Sequence, residues 1–217
     1  MPNFAQARWN MVENQLRPSH IDSPEILSAM GSTAREAFLP AHLRGVAYGD
    51  DDIALGAGKF LIEPLALAKL LQAAEIKPDD VALIIGCSTG YAAAVTAKLA
   101  ATVFQLLADE KDVEPVDAIL SELECDNVVV EPGAHLTGLP SQAPFDVVIV
   151  VGAVAEVAAG WRDQLAEGGR LVFVQRRGGF GKVTIMTKRR GTFSEACPFD
   201  ASTPNLADAP QSQGFVF

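Results

Sequence analysis

The run Val81-Ala82-Leu83-Ile84-Ile85-Gly86-Cys87-Ser88-Thr89-Gly90-Tyr91 carries the residues of this chain best suited to chemistry. Five apolar residues lead into a glycine turn, and an alanine-rich segment follows. Glycines at such a turn let backbone approach a sugar or phosphate closely, so the spacing suits a nucleotide-like ligand. Gly86-Cys87-Ser88-Thr89-Gly90 also matches G-x-S-x-G, the elbow that presents a nucleophilic serine in α/β-hydrolases. That chemistry requires an acid and then a histidine further along. His20 and His42 precede Ser88, and His135, which alone follows it, lies well before the last strands. Hydrolysis is therefore not expected. Cys87 has no adjacent base or second cysteine, and it reads as a small residue filling the turn rather than as a reactive thiol.

The elements that must position this turn follow from hydrophobic periodicity. Asp22 or Ser23 caps a helix with Pro24 in its first turn, running to about Met30, and Arg35–Pro40 closes that segment. Gly49–Gly58 reads as an irregular loop. Pro64–Ile76 is a helix with Leu65, Leu67, Ala68, Leu70 and Leu71 on its apolar face. Strands are expected at Val81–Ile85, Thr102–Leu107, Asn127–Glu131, Phe145–Val151, Arg170–Gln175 and Lys182–Thr187, with Phe215–Phe217 closing an edge. Helices are expected at Tyr91–Ala100, Glu110–Leu123 and Val154–Leu165, the last capped at Glu167-Gly168-Gly169. Lys188-Arg189-Arg190-Gly191 is a hairpin tip, and Asp200–Gly214, with Pro204 and Pro210, a loop. Strands alternating with helices predict an α/β fold, a doubly wound and mostly parallel seven-stranded Rossmann-like sheet with an antiparallel addition at one edge. Residues 1–60 form a helical N-terminal extension and loop packed on the core, and 61–217 the Rossmann-like domain.

Composition narrows the partners. The chain has 217 residues, 49% of them hydrophobic and 20% charged, enough for a substantial core. A net charge of -10 argues against nucleic acid, whose phosphates demand a basic face. Three cysteines, Cys87, Cys125 and Cys197, form no C-x-x-C spacing, which fits neither a disulfide framework nor a metal site and suits a reducing cytoplasm. His135 has no partner at metal-ligand spacing and reads as a loop histidine, while Trp9 and Trp161 read as packing anchors. The first ten residues lack the apolar stretch of a secretion signal, and the run Val147–Ala155 is too short to span a bilayer. No membrane partner is expected.

Seven blocks, taken together, resemble the protein-L-isoaspartate O-methyltransferases, a family of class I S-adenosylmethionine-dependent methyltransferases. They are Met11–Arg17, Arg35–Pro40, Ala47–Asp50, Gly86–Tyr91, Asn127–Val130, Ala143–Asp146 and Gln164–Val172. The resemblance implies S-adenosylmethionine as cofactor and, as partners, damaged proteins or peptides carrying isoaspartate. It places Gly86, Cys87, Ser88, Gly90, Leu107, Ala108 and Ala134 along the cofactor crevice. Ile62, Glu63 and Pro64 fall on the acceptor side, within Phe60–Pro64. It says nothing of oligomeric state.

Several of those positions depart from the family's pattern. Ile84 stands where an acid precedes the first glycine, and Ser88 where the middle glycine belongs. Leu107 replaces the acid that grips the ribose hydroxyls, Ala134 an Asp facing the adenine, and Ile62 a serine near the acceptor. Val151-Gly152-Ala153 occupies the stretch after strand four. Glu63 offers repulsion to an incoming carboxylate if it points into the site, and is otherwise a solvated residue at a helix start. Asp109 reaches the ribose only from a shifted loop. Losing one charged hydrogen bond costs about 1.5–3 kcal/mol, roughly ten- to a hundredfold in affinity or more. Two outcomes follow: a methyltransferase that holds its donor weakly, or a catalytically inactive relative that uses the fold as a binding or regulatory module.

Overall fold

The computed structural model describes residues 3–177, 180–207 and 209. Seven strands form one sheet in the order β5-β4-β3-β6-β7-β8-β9. They are β3 (Val81–Ile85), β4 (Thr102–Leu107), β5 (Val128–Pro132), β6 (Phe145–Val154), β7 (Leu165–Arg177), β8 (Phe180–Arg189) and β9 (Thr192–Asp200). The first five run parallel, while β8 is antiparallel to β7 and β9 antiparallel to β8. The chain starts at β3, steps outward to β4 and β5, then returns to β6 on the other side. That reversal creates the switch point where α/β sheets leave a crevice beyond their carboxyl ends.

Alternation along the strands sorts the core into two layers, as a two-residue period requires. Ala82, Ile84, Val103, Val147, Ile149 and Val172 face one side, against α2 (Pro24–Ser32), α3 (Pro64–Ala74) and α4 (Tyr91–Thr96). Leu83, Ile85, Leu106, Val148, Val150, Leu171 and Phe173 face the other, where Trp161 of α6 (Ala159–Asp163) is fully buried. Two further helices are α1 (Phe4–Met11) and α5 (Val113–Glu122). Ser23 caps α2, its hydroxyl accepting from the Ile26 amide at 3.2 Å, with Pro24 at the first helical position.

Four local expectations are corrected. Within Gly49–Gly58, β1 (Ile53–Gly56) pairs antiparallel with β2 (Lys59–Leu61). Ala57 and Gly58 both take left-handed backbone, φ 51° and 75°, the geometry of a tight hairpin. The helix expected over Val154–Leu165 is reduced to α6, because the apolar run of β6 stays buried as strand through Val154. Gly168 is left-handed at φ 81°, yet it lies in a bulge of β7 rather than a helix cap: Phe145 pairs with Leu165 and Val147 with Arg170. Trp9 is exposed, not a packing anchor. The edge strand beside β8 is β9, whose residues are nearly all exposed and therefore carry no alternating signal. The expected strand at 215–217 lies outside the described residues. The β1–β2 hairpin spans residue 60, and the first core layer draws on both segments, from Met11 to Val183. Among the described residues no helix is long and apolar enough to cross a membrane.

Candidate functional site

The glycine turn leaves β3 at the switch point. Gly86 sits at φ 89° and Gly90 at φ 84°, both in the region that favours glycine. Gln105, fully buried on β4, donates from its amide to the Cys87 carbonyl at 3.0 Å and pins the turn to the neighbouring strand. The Thr89 hydroxyl accepts from the Tyr91 amide at 3.3 Å, and the Cys87 sulfur from the Ala92 amide at 3.5 Å. Cys87 is thus a buried structural group of the turn.

A cavity of about 210 Å³ opens beside the turn. Gly86, Ser88, Leu107 and Ala108 line it, so four of the seven expected crevice positions converge. The other three do not line it. Cys87 is turned into the core, Gly90 backs onto Val116 of α5, and Ala134 is exposed beside the cavity. The Ser88 hydroxyl is buried with no hydrogen-bond partner among the described residues.

Phe60 and Asp109 line it as well, and sequence reasoning missed the rest of the wall: Ala57, Gly58, Lys59, Asp112, His135, Leu206 and Ala207. Lys59 reaches in from β2 and bridges Asp109, at 2.7 Å, and Asp112. Burial works against the Lys59 charge, but the two carboxylates outweigh it and raise its pKa. The same ammonium, hydrogen-bonded to Asp109, holds that carboxyl below its usual range. Asp109 therefore faces the cavity as half of an ion pair rather than as a free acceptor. His135, in the turn after β5, is buried, and its carbonyl accepts the Trp161 indole N–H at 2.7 Å. Leu206 arrives from the tail; a leucine among Pro204, Asn205 and Ala207 was the one signal of docking available there.

On the acceptor side, Ile62 is buried, Pro64 begins α3, and Glu63 caps it with its amide donating to Asp52 Oδ1 at 2.8 Å. Arg35 sets this loop. Fully buried, its guanidinium donates to the Ala47 carbonyl at 2.6 Å and the Ile62 carbonyl at 2.5 Å, and stacks 4.9 Å from the Tyr91 ring centroid. Burial pushes the Glu63 carboxyl up, and the neighbouring Asp52, Asp50 and Asp51 charges push it further. Among the described residues no group of three His, Cys, Asp or Glu side chains is placed to hold a metal.

Residues 6–197 match the family model for protein-L-isoaspartate(D-aspartate) O-methyltransferase. The chain is 38% identical to a protein-L-isoaspartate O-methyltransferase of Roseiflexus castenholzii over 170 residues, 78% of each chain. It is 36% identical to that of Methylorubrum populi over 185 residues, 85% of this chain and 86% of the other. Its fold is similar to a crystal structure ascribed to a Plasmodium falciparum protein-L-isoaspartate O-methyltransferase in complex with S-adenosyl-L-homocysteine. There the TM-score is 0.76 at 20% identity, covering 95% of this chain and 99% of that one.

Proposed function

The chain belongs to the protein-L-isoaspartate O-methyltransferase family, and from that membership we propose that it is a carboxyl methyltransferase acting on isoaspartyl residues of damaged proteins, with S-adenosylmethionine as donor. The observation that carries the proposal is the position of the Gly86–Gly90 turn. It leaves β3 at the switch point, with Ser88, Leu107 and Ala108 around a common cavity. Gly86, Ser88, Leu107 and Ala108 are the residues that would hold S-adenosylmethionine there, and it would supply an electrophilic methyl group. What the chain must add is position, since a carboxylate oxygen needs alignment with that methyl more than proton transfer.

The residues do not fit the donor in the arrangement described. At about 210 Å³ the cavity falls short of the roughly 300–1,000 Å³ of ligand pockets in general. Leu107 offers no hydrogen bond at the ribose end, and Asp109 is already engaged by Lys59. A Cβ at Gly86 would meet Leu206 Cδ1 at 2.5 Å and the Val151 carbonyl oxygen at 2.6 Å, so the space beside the turn there is filled by the chain itself.

That filling favours a second reading, in which the protein is catalytically inactive and uses the fold as a binding or regulatory module. Calorimetric titration of the full chain with S-adenosylmethionine and S-adenosylhomocysteine separates the two. Micromolar binding is expected of the enzyme. No heat at millimolar ligand, with Leu206 in place or replaced by serine, would retire it in favour of the module.

A further inference from the structure

After β9 the backbone turns back across the carboxyl ends of the sheet. Lys69 Nζ donates to the Asp200 carbonyl at 2.7 Å, the Ala201 amide to Gly181 at 3.1 Å, and Arg176 to the Thr203 carbonyl. The Ala153 amide then donates to Pro204 O at 2.8 Å, and the Leu206 amide to Ala153 O at 2.9 Å, a single parallel bridge onto the end of β6. This seats Leu206 at the switch point, 2% exposed and clustered with Leu83, Ile85 and Leu106.

Two glycines face it. A Cβ at Gly86 would meet Leu206 Cδ1 at 2.5 Å, and one at Gly152 would meet the Leu206 backbone at 3.1 Å. Room that glycines leave for a ligand elsewhere in this fold class is taken here by a leucine of the same chain. The segment is also a partition. On one side lies the 210 Å³ cavity, walled by Leu206 and Ala207, and on the other a hollow of about 290 Å³ walled by Pro204 and Asn205. Gly58, Lys59 and Phe60 line both. Lifting the partition joins them into one groove of the size that takes a nucleoside-bearing ligand.

The hold is incomplete. Thr203 Oγ1 and Arg176 Nε are buried without hydrogen-bond partners among the described residues, a strain that lifting relieves. Two backbone hydrogen bonds and one leucine do most of the seating at the crevice.

We propose that Thr203–Ala207 is a removable strap, an autoinhibitory occupant of the crevice that a nucleoside-bearing ligand displaces in order to bind. The proposal rests on the donor reading given above. The apparent dissociation constant is then the intrinsic one divided by the fraction of molecules with the strap lifted. Weakening the seat raises that fraction.

Three measurements on the full chain test it. Leu206→Ser is expected to bind S-adenosylhomocysteine about 10- to 100-fold more tightly than the parent, the range set by losing one leucine's burial. In the parent saturated with S-adenosylhomocysteine, the Leu206 and Ala153 amides are expected to exchange hydrogen faster, while those of Gly86–Ser88 slow. Equal affinity in the two chains with unchanged exchange at Leu206 and Ala153 overturns the strap and leaves the donor reading standing. Absence of binding by both chains overturns the donor reading, and the strap is then decided without ligand by a Leu206→Cys variant. Its thiol, labelled with a bulky maleimide, is expected to react at least tenfold more slowly than exposed Cys197 in the same folded chain. Reaction as fast as Cys197 overturns the seating.

Discussion

Leu107 and Ile84 both stand where the family resemblance implies an acid, yet they meet different surroundings. Ile84 is fully buried in the layer facing α3 and α4 and lines no part of the cavity, whereas Leu107 forms its wall. Leu107→Glu is therefore expected to tighten S-adenosylhomocysteine binding by roughly tenfold or more in calorimetry, the worth of one charged hydrogen bond. Ile84→Asp is expected to lower the urea midpoint with no gain in affinity, because an unpaired carboxylate would be buried among apolar side chains. Glu63 makes a pH prediction. Its carboxyl is raised on folding, by burial first and by Asp52, Asp50 and Asp51 after it. The folded chain thus binds that proton more tightly than the unfolded chain. The contribution to stability is complete below the unfolded value of about 4.3 and is lost as pH climbs through the raised value. Glu63→Gln should show a higher urea midpoint than the parent at pH 7 and an equal one near pH 3.5. A gain at low pH alone would contradict it.

At the scale of elements, three distant blocks of sequence meet around Arg35 and Tyr48. Arg8 of α1 donates to the Tyr48 hydroxyl at 2.8 Å and to Glu36 at 3.1 Å, Tyr48 donates to Glu36, and Gln15 donates to the Tyr48 carbonyl at 2.8 Å. Arg35 extends the network to the Ile62 carbonyl, so the loop entering α3 is positioned by a segment some thirty residues earlier. Burial lowers the Arg35 pKa, as expected of a guanidinium with no carboxylate at contact distance among the described residues. Arg35→Leu leaves two buried carbonyls without donors at about 1–3 kcal/mol each, and is expected to cost about 2–6 kcal/mol in urea unfolding. A cost under 0.5 kcal/mol would mean that water reaches those carbonyls.

For the molecule as a whole, the two apolar layers share a single sheet, with Val81–Ile85 contributing alternately to both. Neither layer can lose its strands without exposing the other. Urea unfolding followed by Trp161 fluorescence, after Trp9→Phe, and by far-ultraviolet circular dichroism is expected to give coincident midpoints. Separated midpoints would mean that the helical N-terminal segment unfolds on its own.

Much of this architecture was legible from residues alone. Val81–Ile85 is a continuous apolar run of strand length, Thr102–Leu107 is a mainly apolar one interrupted by Gln105, and the structure keeps the bounds of both. Ser23-Pro24 marked a helix start because cap and ring geometry are local. The β1–β2 hairpin was hidden among acidic and glycine residues, and β9 lacked periodicity because nearly all of it is exposed.

The sequence by itself determined the parallel sheet, the glycine turn at its switch point and the family, since each rests on periodicity or on motifs written in consecutive residues. Only the tertiary structure decided what meets that turn: Lys59 from a hairpin, His135 from a turn, and Leu206 from a tail more than a hundred residues downstream. Contacts across such separations depend on how the chain folds back on itself, and no local pattern encodes them.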